Sequence, residues 1–556
     1  MKDDATKQPH AGSRGDCLTY DVIVVGSGCA GLTAALKAAA EGASVVVLEK
    51  SRSIGGTSAM SGAGTWVPAN HHAIAAGVSD SVDAALEYIH AASPEGWAAV
   101  EGELWRRYAE ASPRMLRFVE DRTPVRFEVV SEPDPTAEAP GGLRYGRMLS
   151  PKAYSLRRLG RLGYALRRST LQHIFTYREM ISEPLYTKPL RTGLRLLPRI
   201  VGRWLRGERG QGSALVGGLL EGCLESGCEI LPDAAVAELI CDDHGAVVGV
   251  RAAVAGNDRT FRARRGVVLA TGGFEWNAEM FERHFPGGAQ RIGSPRTNTG
   301  DGQRMAQAVG AQLDRMDQAN VYPCLPTIYE GELHGLPVTF QCAPHSIVVN
   351  ARGERFADEY DYNLGEALDR RDPETGQAIN MPAWLVGDRR FLAVSPAFRW
   401  YAAKDRDWIR KADSLAEIAG QINVPAEALE RTVARFNRFC AAGKDADFGR
   451  GDSVWGRYKS KRKDGQPDNP ALGEISRGPF VAMAMNRMIL GTKGGARTDA
   501  GGRVLRDNGS PIIGLYCAGN AMANPFGTRA IGAGTTIGPC MTWGYICAES
   551  ILSSNR

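Results

Sequence analysis

The stretch YDVIVVGSGCAGLTAALKAAAEGASVVVLEK, residues 20–50, constrains the fold more than any other part of the chain. Asp21 to Val25 leads into a continuous β-branched run, the pattern of a parallel strand covered on both faces. Gly26, Gly28 and Gly31 follow as GxGxxG. The first glycine permits the tight turn, the second lets backbone approach a pyrophosphate, and the third lets the helix pack close to the strand. Leu32 to Glu41 is alanine-rich and reads as that helix. SVVVLE is the second strand, and it ends in Glu49, eighteen residues after Gly31. A carboxylate at that place can accept hydrogen bonds from ribose hydroxyls. A GxGxxG alone says little. Here strand, turn, helix, strand and terminal acid fall in register, as a dinucleotide-binding fold requires.

The stretch that follows, SRSIGGTSAMSGAGTWVPAN, bears on which dinucleotide. Ser58 and Ser61 stand among Gly55, Gly56, Gly62 and Gly64, and such backbone can wrap closely over a flat ring. A nicotinamide fold would proceed to another βα unit; a loop sent back over the cofactor points to FAD. Later segments return to the same domain. GCEILPDAAVAELICDDHGAVVGVRA reads as strands and a hairpin around Asp243 to Gly245. The run Gly266 to Ala270 enters Thr271-Gly272-Gly273 and brings the chain back beside the cofactor. NTGDGQRMAQAVGAQL puts Asp301 and Gly302 at the start of a helix expected to reach about Leu313. Near the C-terminus, a hairpin at Asn508-Gly509 precedes a strand that ends in Gly519 and Asn520. GTRAIGAGTTIGPCMTWGYICA then places a glycine-rich loop before a helix from about Pro539, whose N-terminus can point at the flavin edge.

Composition sets the remaining limits. The chain has 556 residues, 43% of them hydrophobic, enough for more than one domain. Its apolar runs break before a membrane-spanning length, so no transmembrane helix is expected. The N-terminal MKDDATKQPHAGSRGDC is polar and reads as a loose tail rather than a secretory signal. Eleven cysteines form no CxxC pair and no His/Cys cluster of zinc spacing. That fits reduced thiols, a cytoplasmic location and no metal site. The net charge of +5 is uneven: residues 144–209 hold sixteen Lys/Arg against three Glu, a net of +13, leaving −8 for the rest. Leucines and aromatics interleave there. The segment reads either as solvated helix faces or as a peripheral contact with an anionic membrane surface. Nucleic acid is not expected, because no binding motif accompanies the charge.

The motifs GSGCAGL, GGTSAMSGAGTWVP, LATGGFEWN, NTGDG, PHSIVVNARGERFADE, GTKGG and GAGTTIGPCMTWGY together resemble the fumarate reductase and 3-ketosteroid dehydrogenase superfamily of flavoproteins, and more closely its 3-ketosteroid dehydrogenases. The resemblance implies an α/β architecture: a Rossmann-like FAD-binding domain, discontinuous in sequence (18–296 and 486–556), with an inserted α+β substrate domain (297–485). It implies FAD as cofactor, with contacts from Gly26, Gly28, Ala30, Gly31, Glu49 and Lys50 in the first anchor. Gly56, Thr57, Ser58, Ser61 and Gly62 follow in the second, then Ala270, Thr271, Gly272 and Asp301. Gly519, Asn520, Thr535, Thr536 and Ile537 complete the set from the C-terminal segment.

In such enzymes a tyrosine removes a proton beside the ketone, and the adjacent carbon gives a hydride to flavin N5. A second tyrosine and a backbone N–H hold the incipient enolate. The family pattern maps the proton-abstracting tyrosine to Tyr362 in ERFADEYDYN, with Tyr360 as second choice, and the backbone donor to Gly534. Two positions depart from the pattern. The ketone-binding tyrosine is replaced by Ala530, and SEPDPTAEAPGG lacks the tyrosine that supports the base. Arg529 is then a candidate to hold a ketone oxygen, or to grip a substrate carboxylate bidentately. His345 reads as structural. The expected activity is therefore FAD-dependent introduction of a C=C bond beside a ring ketone. Desaturation of a small cyclic keto acid of the 4-oxocyclohexanecarboxylate type and fumarate-type reduction of an enone or enoate stand as alternatives, as does a non-catalytic FAD carrier. No second GxGxxG follows a strand, so an external electron acceptor, a quinone or carrier, is expected rather than NAD(P)H.

Overall fold

The computed structural model describes residues 17–185, 188–394, 397–466 and 468–554. The polar tail, residues 1–16, lies outside them. Apolar β-branched runs build the centre. Val22 to Val25 are at most 4% exposed, as a strand covered on both faces must be. That strand, Cys17–Val25, pairs in parallel with Val45–Glu49 on one side and Asn257–Leu269 on the other. Glu229–Pro232 and Pro511–Cys517 extend the parallel sheet outward, and Arg503–Leu505 closes it antiparallel. Val247–Val254 and Ala234–Cys241 branch from Asn257–Leu269 as an antiparallel meander. The helix Cys29–Ala40 packs between this sheet and the C-terminal helix Ile537–Ser553. At Gly31 a Cβ would stand 2.0 Å from the Gly26 carbonyl oxygen, so only glycine lets the helix leave the strand so closely.

A second unit is built on an antiparallel sheet ordered Ser346–Val349, Trp384–Gly387, Phe480–Ala484, Ile409–Ala412. Alternation sends Val348 and Leu385 to one face with Phe391, Phe398 and Trp408. It sends Ile347, Val349 and Val386 to the other, with Leu429 and Phe436 of the helix Ala426–Ala442. Both faces are thus covered by helices, which is why the three strands other than the edge strand Ile409–Ala412 are nearly continuous apolar runs. Met488–Thr492 pairs with Arg291–Ile292 and with Ala319–Tyr322, and this small sheet joins the two units. A third layer stands behind the glycine loop of residues 527–538. The helices Val82–Ala92 and Trp97–Arg122 pack Tyr88, Trp105 and Tyr108 against Trp66, Phe526 and Ile531. Tyr88 Oη donates to the Ile531 carbonyl (2.8 Å), and Trp105 Nε1 to that of Pro525 (2.8 Å).

The helix expected from Asp301 to about Leu313 ends at Ala308. Gly310 turns in the left-handed region (φ 86°), and Leu313–Asp314 forms a strand with Gly495–Ala496 instead. Met305 and Ala306 of this helix are buried in the core of the large sheet. Among the described residues no helix is long and apolar enough to cross a membrane.

Candidate active site

A cavity of about 1480 Å³ runs from the glycine turn of the first strand to the face of the second unit. Ligand pockets usually span about 300–1,000 Å³, so this one has room for a dinucleotide and a second molecule. The Gly26–Ala30 turn opens one end, where the helix Cys29–Ala40 presents its N-terminus with no side-chain cap. The helix Ile537–Ser553 likewise starts without one, so two helix starts face the same space. Ser58 Oγ accepts from the Cys29 N–H (3.1 Å), fixing the second glycine stretch against the first. Glu49 is held at the end of its strand. Its Oε2 accepts from Ser27 Oγ (2.6 Å) and Ser27 N–H (3.1 Å), and its Oε1 from Ser51 N–H (2.9 Å). Oε2 is thereby filled, and Oε1 keeps acceptor capacity for a further donor. Lys50 Nζ meets Asp301 Oδ2 at 2.5 Å. Burial alone would raise the Asp301 carboxyl, but hydrogen bonds from Lys50, Arg304 and Thr299 hold it below its ordinary value. Gln303, fully buried, places Nε2 within 3.1–3.2 Å of the carbonyls of Gly272, Gly494 and Asn520, tying three distant segments together. These features fit FAD: uncapped helix starts for the pyrophosphate, a fixed carboxylate for a ribose, and glycine-lined space for a flat ring.

The other half is walled by Leu325, Leu336, Val338, Phe340, Val394 and Phe398, and by a cluster of hydroxyls. Tyr362 and Tyr322 meet edge to face, with Tyr322 Oη donating to Tyr362 Oη at 2.8 Å. Trp455 stands edge-on to Tyr362, ring centroids 4.8 Å apart. Tyr177 Oη donates to Glu132 Oε2 (2.8 Å) on the same wall. Burial pushes the Tyr362 hydroxyl well above its ordinary value. Burial also pushes Tyr322 up to about 12 and raises the Glu132 carboxyl. Gly534 lines the cavity at φ 87°, where a Cβ would lie 2.3 Å from the Gly64 carbonyl oxygen. Its carbonyl accepts from Trp66 N–H (3.4 Å) and Gly538 N–H (3.0 Å). Asn363 and Ala530 exchange hydrogen bonds at 2.9 and 3.1 Å, which holds the Tyr362 segment against the loop that carries Gly534.

The structure brings most of the sequence candidates to this one cavity: Tyr362, Gly534, and every cofactor candidate named above except Gly31. Gly31 sits behind the turn and serves helix packing. Two catalytic candidates are not in the cavity wall. Arg529 turns away from it, because the helix Leu364–Asp369 offers Glu366, whose carboxylate accepts from Arg529 Nε at 2.9 and 3.2 Å. Tyr360 is 1% exposed and covered by Arg450, whose guanidinium lies 4.9 Å from its ring centroid in an ion network with Glu359. Tyr322, Tyr177 and Glu132 escaped sequence reasoning; Glu132 lies within SEPDPTAEAPGG, which was noted for lacking a tyrosine and not for its acid, and only the fold puts the three on one wall. Away from the cavity, His71 and His72 converge on Glu120 Oε2 at 2.8 and 2.9 Å, a grouping that no sequence spacing announced.

The sequence profile of the FAD binding domain family (FAD_binding_2) matches residues 21–537. The chain is 38% identical over 569 residues to 3-oxosteroid 1-dehydrogenase of Mycobacterium tuberculosis, covering 96% of this chain and 98% of that one. It is 37% identical over 548 residues to 4-oxocyclohexanecarboxylate 2-dehydrogenase of Sinomonas cyclohexanicum, covering 96% and 93%. Among solved structures, 3-ketosteroid delta1-dehydrogenase from Sterolibacterium denitrificans, in complex with 1,4-androstadiene-3,17-dione, superimposes with a TM-score of 0.86 at 32% identity, covering 96% of this chain and 100% of that one.

Proposed function

The chain belongs to the FAD binding domain family and is an FAD-dependent oxidoreductase acting on CH–CH bonds, and from that premise we propose that it introduces a C=C bond α,β to a ring ketone. FAD, when bound, supplies the two-electron acceptor that this oxidation needs. In this reading residues 18–296 and 486–556, with the helix Asp301–Ala308, hold the cofactor, and the rest of 297–485 supplies the substrate wall together with Glu132 and Tyr177. The observation that carries it is the Tyr322–Tyr362 hydroxyl pair, set in the same cavity as Gly534. A C–H beside a ketone is a weak acid, so its removal needs a positioned base and a donor for the developing oxyanion. Tyr362 Oη takes the proton. Tyr322 Oη, as hydrogen-bond donor, stabilises the phenolate that must form first. The Gly534 N–H holds the ketone oxygen as its charge grows. Tyr322 thereby does, from the strand Ala319–Tyr322, what the family's missing tyrosine would have done from SEPDPTAEAPGG.

The substrate is a neutral, apolar ring ketone. The inner wall is aliphatic and aromatic, and the arginine that could have gripped a carboxylate is paired with Glu366 outside it. Of the cations lining the cavity, Lys50 is paired with Asp301 and Arg178 with Glu128, while Lys459 stands over the Trp455 ring and Lys461 is exposed at the edge. Electrons leave to an external acceptor, a quinone or carrier, and the basic segment 144–209 meets an anionic membrane. The test is anaerobic bleaching of the flavin by a panel of steroid ketones, monocyclic ketones and cyclic keto acids, followed by turnover with an acceptor dye. Neutral ring ketones should bleach it and keto acids should not. Bleaching by keto acids alone would transfer the assignment to the smaller, charged class, and bleaching by none of them would overturn the reading.

A further inference from the structure

The helix Pro189–Arg206 carries its apolar stripe outward. Leu190, Leu194, Leu197, Val201, Trp204 and Leu205 repeat at helical spacing, and each is 45–84% exposed. Thr192, Leu196 and Arg203 are the residues it buries. A surface helix bathed in water turns its apolar stripe to the core and its charges out. This one is held the other way round by polar ties. Arg203 Nη1 donates to the Ile174 carbonyl (2.9 Å) and pairs with Glu179 (2.6 Å), and Arg199 pairs with the same carboxylate (2.7 Å). Lys188, Arg191, Arg195 and Arg206 stand exposed beside the stripe, Arg195 paired with Glu183 and Arg206 with Glu208. An apolar stripe bordered by cations is complementary to one surface: acyl chains beneath anionic headgroups.

The position of the helix adds a function. Gln172, Arg178 and Ser182 line the cavity and are also exposed, so they mark its rim. Leu185 lines it too, three residues before Lys188, the N-cap of this helix. The rim and the outward stripe therefore belong to one continuous stretch of chain, braced together through Glu179.

We propose that the helix Pro189–Arg206 lies in the headgroup boundary of an anionic bilayer, and that the apolar ketone passes from the lipid into the cavity across this rim. The substrate part rests on the ring-ketone reading above; the lipid part does not. The full chain is mixed with phosphatidylcholine vesicles with and without phosphatidylglycerol, and compared with the variant Leu194→Glu, Leu197→Glu, Trp204→Ser, whose three sites are all exposed. The wild type should sediment with the anionic vesicles roughly tenfold or more above the neutral ones at low salt, since each cation near the surface contributes favourably. The variant should stay in the supernatant. It should turn over a short, water-soluble ring ketone at the wild-type rate, and lose rate severalfold on a sparingly soluble ketone presented in vesicles. Wild type left in the supernatant, or variant sedimenting like wild type, overturns the lipid assignment. A wild-type dimer that the variant abolishes overturns it in favour of a second copy of this chain. Equal loss of rate on free and vesicle-borne ketone overturns the access route. Vesicle binding without turnover of any ring ketone overturns the access route too, by way of the ring-ketone reading, and leaves the lipid assignment supported.

Discussion

Tyr362 and Tyr322 share a hydrogen bond at 2.8 Å, and both hydroxyls are pushed upward by burial. Two such groups titrate as a pair: whichever oxygen loses its proton accepts from the other. The base is active when deprotonated, so turnover should rise with pH. Tyr362→Phe should keep its flavin absorbance and lose about 10²-fold or more in kcat, as for a lost general base. Tyr322→Phe removes the donor to the phenolate, so the rise of kcat should move to higher pH, with activity at neutral pH falling and recovering in alkali. Tyr360→Phe, under Arg450, should leave that profile in place. Steady-state rates across pH for the three variants check this, and an unshifted profile in Tyr322→Phe would remove that residue from the mechanism.

At the scale of elements, two helices that begin without side-chain caps point at one cavity, and each is led in by glycines. Gly28 is the informative one. A Cβ there would meet only Ser58 Oγ, at 3.5 Å, an ordinary contact, so the protein itself tolerates a side chain. The branched methyls of valine would instead project into the space the pyrophosphate needs. Gly28→Val should therefore fold with a thermal transition near that of the ligand-free wild type, yet purify colourless. Full flavin absorbance in this variant would move the pyrophosphate away from the first turn.

At the scale of the whole molecule, the catalytic groups come from two units that meet at the Asn363–Ala530 pair of hydrogen bonds. Asn363 follows Tyr362 directly, and Ala530 lies four residues before Gly534 in the loop of residues 527–538. The junction sets the distance between base and oxyanion donor. Asn363→Ala leaves every cofactor contact intact, so its flavin content should match wild type. Its kcat should fall, by up to about 10²-fold, because a small misplacement of reacting groups is that costly. Kinetics beside flavin absorbance read this out, and an unchanged kcat would mean that the units hold their register without the junction.

The cofactor domain was legible in the sequence because its signals are contiguous. Glycine turns, β-branched runs and a terminal acid sit side by side from Tyr20 to Lys50, and their spacing is imposed by backbone geometry alone. Tyr362 and Gly534 were singled out through the family resemblance, and both line the cavity. What only the tertiary structure decided is which distant groups share a wall. Glu366 draws Arg529 outward, Arg450 covers Tyr360, and Tyr322 arrives beside Tyr362 from a strand forty residues earlier. Each of these outcomes turns on a partner far away in sequence. The outward stripe of Pro189–Arg206 belongs with them: its periodicity is written in the chain, but which face looks out is set by Arg203 and Glu179, twenty-four residues apart, closing on each other.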